Sequence, residues 1–325
     1  MNKTLLLFIA LLLLHYLAYG QTAPVRVDTT VVATIGGMRQ VLTVKGHDRA
    51  NPLLLYVHGA AGSAYSLSAA GEKLTSQLQE YFVVVLWDQR GYGQTAALNA
   101  SPQPSSLPLL AEDTQEVVAY CLKAFGQPKL YLAGHSLGSV LGSYVAQRHP
   151  ELLYALIEMS PPVDGIASQK MGLALLQDHF KQLGNQRAVA ELATVKLPAR
   201  DFESLFTKYV WQTAYDGQPL SDTARAALKP ALREWMGTPA AALSNEVFEL
   251  NFFRQFPAFK CPVYFFVGRK DIVTNARLTE AYFHRVHAPR KQLFWFEQSA
   301  HGLPETEPGL MQNIIIHKIL PLTQY

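Results

Sequence analysis

Cysteine is nearly absent: the 325 residues hold only Cys121 and Cys261. A disulfide-dense scaffold is therefore excluded. Charge is also scarce. Asp, Glu, Lys and Arg make up 16% of the chain against 49% hydrophobic residues, the reverse of a disordered composition. No basic block is present, and 28 Lys+Arg against 25 Asp+Glu give a formal charge of +3, which argues against nucleic acid as a partner. Beyond the N-terminus no apolar run approaches the ~20 residues of a membrane helix. Internal repeats, a metal-ligand set and a phosphate-binding glycine loop are missing too, so no cofactor is expected.

The first twenty residues have the layout of a cleavable secretory signal. Lys3 is the only charge before the apolar run Leu5 to Leu14, and Ala18-Tyr19-Gly20 forms a small-x-small end before Gln21. No cysteine follows to carry a lipid anchor. The expectation is export, to the periplasm or the exterior, of a mature chain without a stable membrane span. Removing residues 1–20 takes away Lys3 and no acid, leaving a near-neutral +2. Cys121 lies in a helix-like stretch and Cys261 just before a strand-like one, and both read as separate buried thiols.

The remainder alternates strands and helices. Val31–Ile35 and Val41–Lys45 flank Gly36-Gly37 as a hairpin. Leu53–Val57, Phe82–Trp87, Lys129–Ala133 and Tyr154–Met159 are continuous apolar runs. Helical spacing separates them at Ala64–Gln79, at about Leu109–Phe125 and from Gly138 to about His149. Short apolar runs between helices are what a parallel sheet covered on both faces requires. The alternation stops at Ser160-Pro161-Pro162. From Val163 to Phe256 only amphipathic helical patterns occur. Val263–Val267, a helix around Ala276–Val286, Leu293–Phe296 and a helix from Gly309 to Leu320 then resume it. The expected organisation is an α/β core in two parts, 21–162 and 257–325, with a helical cap of residues 163–256 inserted between them.

The chemistry gathers at the strand ends. Gly134-His135-Ser136-Leu137-Gly138 matches G-x-S-x-G directly after a strand and at the opening of a helix. The glycines leave room for a tight turn that lifts the Ser136 hydroxyl clear of its neighbours. A serine hydroxyl needs a base in hydrogen-bond reach and an acid to orient that base. In this strand–turn–helix setting the chain order is serine, acid, histidine. Asp271 follows Val263–Val267, and His301 follows Leu293–Phe296. Both sit past a strand's carboxyl end, where open α/β sheets hold ligands. The histidines at 58, 135, 149, 284, 287 and 317 lie off that last loop. Ser136 is thus read as nucleophile, His301 as general base and Asp271 as the orienting acid. The oxyanion donors are expected to be the N–H groups of Leu137 and of Ala60, the latter in the small-residue loop His58-Gly59-Ala60-Ala61-Gly62.

These pieces, with Trp87-Asp88-Gln89-Arg90-Gly91-Tyr92-Gly93, span the mature chain. They resemble the α/β-hydrolase fold superfamily, and within it the prolyl aminopeptidase (proline iminopeptidase) group. The resemblance implies a mostly parallel central sheet, helices on both faces and an inserted helical cap. It implies the same roles for Ser136, Asp271 and His301. Asp88 and Arg90 are read as an internal ion pair that holds their loop. Where the group usually has His-Gly-Gly-Pro-Gly, this chain has Ala60 and Ala61, and Leu137 stands where a Trp is common. The group binds its substrate's free amine with cap carboxylates. Glu203, Glu234, Glu246 and Glu249 are the candidates here.

The cap's aromatics, among them Phe180, Phe206, Trp211, Trp235 and Phe248, predict a mostly apolar pocket over Ser136. A small ester, an amide or a short peptide fits such a roof. The leading expectation is an exported serine hydrolase working through an acyl-enzyme, prolyl aminopeptidase-like in substrate. A carboxylesterase on small apolar esters is the alternative within the class. A non-catalytic ligand-binding protein on the same fold is the alternative outside it.

Overall fold

The computed structural model describes residues 23–59, 65–66, 68–99 and 105–323. The proposed secretory signal and Ala60 lie outside these residues. Eight strands form one sheet in the order β1-β2-β4-β3-β5-β6-β7-β8. They are β1 (Val27–Ile35), β2 (Met38–Gly46), β3 (Leu53–Val57), β4 (Val83–Asp88), β5 (Leu130–His135), β6 (Leu153–Met159), β7 (Val263–Gly268) and β8 (Lys291–Phe296). The β1–β2 hairpin is antiparallel, β2 meets β4 antiparallel, and all later neighbours run parallel. Every apolar run expected to be a strand is one.

Strand alternation builds two cores. Leu53, Leu55 and Val57 face one side, where the helices Leu107–Phe125, Leu137–Arg148 and Ala276–Arg285 supply the facing apolar side chains. Leu54 and Tyr56 face the other, against Leu74 of the Ala69–Thr75 helix and the C-terminal residues Met311 to Leu320. Strands β3, β4, β5 and β7 are buried along their whole length, as a doubly covered parallel sheet demands. Cys121 and Cys261 are free and buried, and burial pushes both thiols up to about 12.

Between β6 and β7 the chain forms six helices: Gly165–Gln182, Gln186–Leu192, Phe202–Tyr215, Asp222–Met236, Pro239–Phe248 and Phe252–Gln255. Each starts at a side chain that accepts an N–H three residues on. These caps are Asp164, Asn185, Asp201, Ser221, Thr238 and Asn251. The two ends of the segment are zipped together. Phe252 N–H donates to Val163 O at 2.7 Å, Gly165 N–H to Leu250 O at 3.1 Å, and Asn251 Nδ2 to Asp164 Oδ2 at 2.8 Å. Leu173, Leu176, Phe180, Leu192 and Trp211 form a separate apolar cluster that also takes in Ile272 from the loop after β7. The first of the six helices therefore rests on that loop. Ser168 Oγ donates to Thr274 O at 2.8 Å, and a methyl group at Gly172 would lie 2.7 Å from Ile272 O.

Three expectations need correction. Arg90 does not pair with Asp88. Its guanidinium makes two 2.9 Å hydrogen bonds to Asp113 on the Leu107–Phe125 helix, whereas Asp88 accepts from Ser66 Oγ at 2.6 Å and Gln94 N–H at 2.8 Å. A planar guanidinium favours a carboxylate it can grip with two nitrogens. The helix expected over Ala64–Gln79 runs only from Ala69 to Thr75 among the described residues, with a 3-10 turn at Leu78–Glu80. The last helix spans Pro308 to Thr323 and widens to a π turn at Ile315–Ile319, just before Pro321. Proline has no N–H to continue an α-helical ladder and crowds the carbonyl four residues back, which the wider turn relieves.

Candidate active site

Ser136 sits between β5 and the Leu137–Arg148 helix at φ 53° and ψ −116°, outside the ordinary regions for a residue with a side chain. The turn is tight enough to require its glycines. A methyl at Gly134 would lie 2.2 Å from Gly138 O, and one at Gly138 would lie 2.0 Å from Val57 O. The strained serine is held from behind, because its N–H donates to Met159 O at 2.9 Å. Ser139 Oγ contacts Gly134 O at 2.7 Å and Met159 O at 3.2 Å.

The three residues singled out by chain order meet in space. His301 Nε2 lies 3.1 Å from Ser136 Oγ, and His301 Nδ1 lies 3.0 Å from Asp271 Oδ2. An ionised carboxylate only accepts, so Nδ1 carries the proton and Nε2 is free to accept from the serine. Asp271 is completely buried. Burial alone would raise its pKa, but the His301 charge and hydrogen bond, then the Thr274 hydroxyl and N–H, outweigh that and hold it near 2. Its four donors are Val273 N–H at 2.8 Å, Thr274 N–H at 3.1 Å, Thr274 Oγ1 at 2.8 Å and His301 Nδ1. A carboxylate this well satisfied stays ionised across the physiological range.

The Leu137 N–H belongs to the free first turn of the twelve-residue helix behind Ser136, where the backbone dipole favours negative charge. Gly59 brings the loop after β3 close to it. A methyl there would be 3.1 Å from Ser136 Cβ. The loop's entry is fixed by His58, whose Nδ1–H donates to Gly59 O at 2.8 Å, and by Gln89 Nε2, which donates to His58 O at 2.8 Å. Burial lowers the His58 pKa, more than the Gly59 hydrogen bond and the Asp88 charge raise it. A neutral ring follows.

A cavity of about 110 Å³ opens on Ser136. Leu137, Pro162, Val247, Phe248 and Val273 give it an apolar wall, and Ser168, Ser244 and Thr274 add hydroxyls. No carboxylate lines it among the described residues. The four glutamates expected to serve the substrate's amine are engaged elsewhere or exposed. Glu246 accepts the Leu107 N–H at 2.8 Å, Glu249 pairs with Arg200, Glu203 faces Arg233 at 4.0 Å, and Glu234 is exposed. Sequence reasoning did not single out Asp216, an exposed carboxylate at the C-terminal end of the Phe202–Tyr215 helix, whose pKa is raised by desolvation and then by the negative charge of Asp271, and lowered by His301. Only its position after an aromatic helix and before Gly217 could have drawn attention to it.

Comparison with known proteins identifies the family and the fold. The family model described as serine aminopeptidase, S33, matches residues 48–308. The chain is 27% identical over 304 residues to a probable aminopeptidase, YbaC, of Bacillus subtilis, covering 87% of this chain and 93% of that one. Among solved structures it resembles VinJ, with a TM-score of 0.67, 18% identity and coverage of 90% and 99%. It also resembles the proline iminopeptidase of Mycobacterium smegmatis, with a TM-score of 0.62, 16% identity and coverage of 90% and 98%.

Proposed function

Because the chain belongs to the serine aminopeptidase S33 family of α/β-hydrolases, we propose that it is an exported serine aminopeptidase that releases small apolar N-terminal residues from short peptides or amides. The observation that carries this reading is the Ser136–His301–Asp271 chain of hydrogen bonds at 3.1 and 3.0 Å. Ser136 Oγ attacks the scissile carbonyl while His301 Nε2 takes its proton. The oxyanion forms against the Leu137 N–H, with Ala60 N–H as the second donor. His301 then gives the proton to the departing amine, and water admitted to the same position clears the acyl-enzyme. Asp271 keeps the imidazole in the tautomer that accepts from the serine and stabilises the imidazolium.

The helices between Gly165 and Gln255 act as the cap. The 110 Å³ cavity suits a side chain of proline or valine size. Asp216 is the carboxylate offered to the substrate's ammonium group. The charges of both Asp271 and His301 act on it, the first raising and the second lowering its pKa. The carboxylate-free lining of the cavity favours a second reading, a carboxylesterase for small apolar esters.

A paired assay on residues 21–325 separates the two. A proline arylamide with a free amine should be cleaved, its N-acetylated form should not, and Ser136→Ala should lower kcat by about 10⁶-fold. Asp216→Asn should raise KM for the free-amine substrate about tenfold and leave a short-chain nitrophenyl ester unaffected. Cleavage of the ester alone would establish the esterase. Undiminished activity of Ser136→Ala would remove the triad altogether.

A further inference from the structure

His135 is the last residue of β5, immediately before the nucleophile, and takes no part in the proton path. Its ring is buried and lies against the ring of His301, with centroids 5.1 Å apart and planes 41° to one another. Its Nε2 is 2.9 Å from the backbone carbonyl of His301. A carbonyl only accepts, so Nε2 carries the ring's proton. A second donor reaches the same oxygen: Ser160 Oγ, at 3.2 Å. Ser160 is itself fully buried, has φ 48°, and its N–H donates to Phe266 O on β7 at 2.9 Å. Both donors are anchored in the sheet. His135 ends β5, and Ser160 directly follows β6.

The loop bearing His301 is tied two residues earlier, by Lys270 N–H to Ser299 O at 3.0 Å and Ser299 Oγ to Glu307 at 2.6 Å, and these bonds do not reach the His301 backbone carbonyl. It approaches β7 closely, since a methyl at Gly268 would lie 2.1 Å from Ala300 O. That contact excludes bulk but does not set the height of the imidazole over Ser136. The carbonyl of His301 belongs to the same residue as the ring, so holding the carbonyl sets the Cα from which the ring is aimed. Because His135 is the immediate neighbour of Ser136, its hydrogen bond ties the nucleophile's backbone to the base's backbone. This tie is independent of the bond between Ser136 Oγ and His301 Nε2.

We infer that His135 is a positioning residue for the general base, and that it clamps the His301 carbonyl together with Ser160 so that Nε2 stays in line with Ser136 Oγ. The inference rests on the triad assigned above. Burial, then the positive charge His301 can carry, lowers the His135 pKa to about 3, the hydrogen bond to His301 O opposing. The clamp therefore works as a neutral donor and puts no charge beside the base. The side chain required is one with an N–H at imidazole reach, which glutamine also has and leucine lacks.

The test compares His135→Leu, His135→Gln and Ser136→Ala on the free-amine arylamide. Displacing a reacting group by about 1 Å costs on the order of 10²-fold in rate. His135→Leu should therefore lower kcat by about 10- to 100-fold with KM within about twofold. His135→Gln should recover most of that loss, although both variants shift the thermal midpoint alike. The acid limb of the kcat/KM profile should not move, since no charge has been removed. An unchanged kcat in His135→Leu, equal loss in His135→Gln, or a displaced acid limb would each overturn the clamp. Ser136→Ala keeps the two readings apart. If it stays active the triad fails, and if it is inactive while His135→Leu keeps the parent's kcat, only the clamp fails.

Discussion

Two buried carboxyl groups belong to neighbouring parts of the same sheet. Asp271 follows β7, and Glu158 sits within β6, the neighbouring strand. Both are buried. Around Asp271 the loop supplies two N–H groups, a hydroxyl and an imidazole N–H, so both oxygens are satisfied twice over. Around Glu158 the described residues offer one donor, Ser143 Oγ to Oε1, and give Oε2 no partner. Burial raises Glu158 to about 8, against the pull of Ser143, whereas Asp271 is held near 2. Burial is common to both and cannot explain the difference. The number of donors and the presence of a group that can become a cation decide which carboxyl is ionised. One is fit to orient a base, and the other is a neutral acid filling the layer behind the nucleophile's helix.

The sharpest way to break this contrast is to make Asp271 resemble Glu158. Asp271→Asn keeps the shape and removes the charge. Its amide would donate where Oδ2 now accepts from His301, favouring the wrong tautomer, and kcat should fall by about 10⁴-fold with KM little changed. Steady-state kinetics with the arylamide checks it, and a loss under tenfold would mean that Asp271 does not orient the base. Glu158→Gln probes the other side. A folded-state pKa near 8 against an ordinary value near 4.3 means that the folded protein keeps a proton the unfolded chain gives up. Stability should therefore fall as pH rises between those values. The amide variant escapes that fall. Its thermal midpoint should match the parent at pH 4.5 and exceed it by ~3–6 °C at pH 9, with kcat unchanged. Parallel melting curves at both pH values would show an ionised Glu158 instead.

The same two residues illustrate what can be read before folding. Asp271 stood out because it follows a buried apolar run and precedes a histidine on the next strand's loop, and that order survives into space across 30 residues. The sheet was legible for a related reason. Strands buried on both faces leave apolar runs such as Leu53–Val57 that few other structures need. Glu158 was hidden inside such a run, since its neutrality comes from burial in the packed sheet, against the pull of Ser143, fifteen residues away on a helix. The Arg90 partner was missed for the same cause. Asp88 was near in sequence, but Asp113 was near in space. Asp216 depends on how the segment between β6 and β7 lies on the core, and periodicity within that segment does not fix this. The six side-chain caps between residues 164 and 251, which the sequence analysis did not single out, set where helices start and not how they are arranged.

Ser143→Ala gives the smallest effect and the finest test of the contrast. It removes the donor to Glu158 without touching the carboxyl. Where Glu158 is protonated, the lost bond is one between neutral groups, worth about 1 kcal/mol. Where Glu158 is ionised, the lost bond is charge-assisted and worth about 2 kcal/mol, and the abandoned anion is harder to bury. The variant should therefore cost about twice as much stability at pH 9 as at pH 6, measured by denaturant unfolding against the parent at each pH. In a Glu158→Gln background the extra cost at pH 9 should vanish, because no charge remains to be stranded. Equal losses at both pH values would mean that Glu158 does not titrate in this range, and the difference between the two carboxyls would then have to lie in packing rather than in donors.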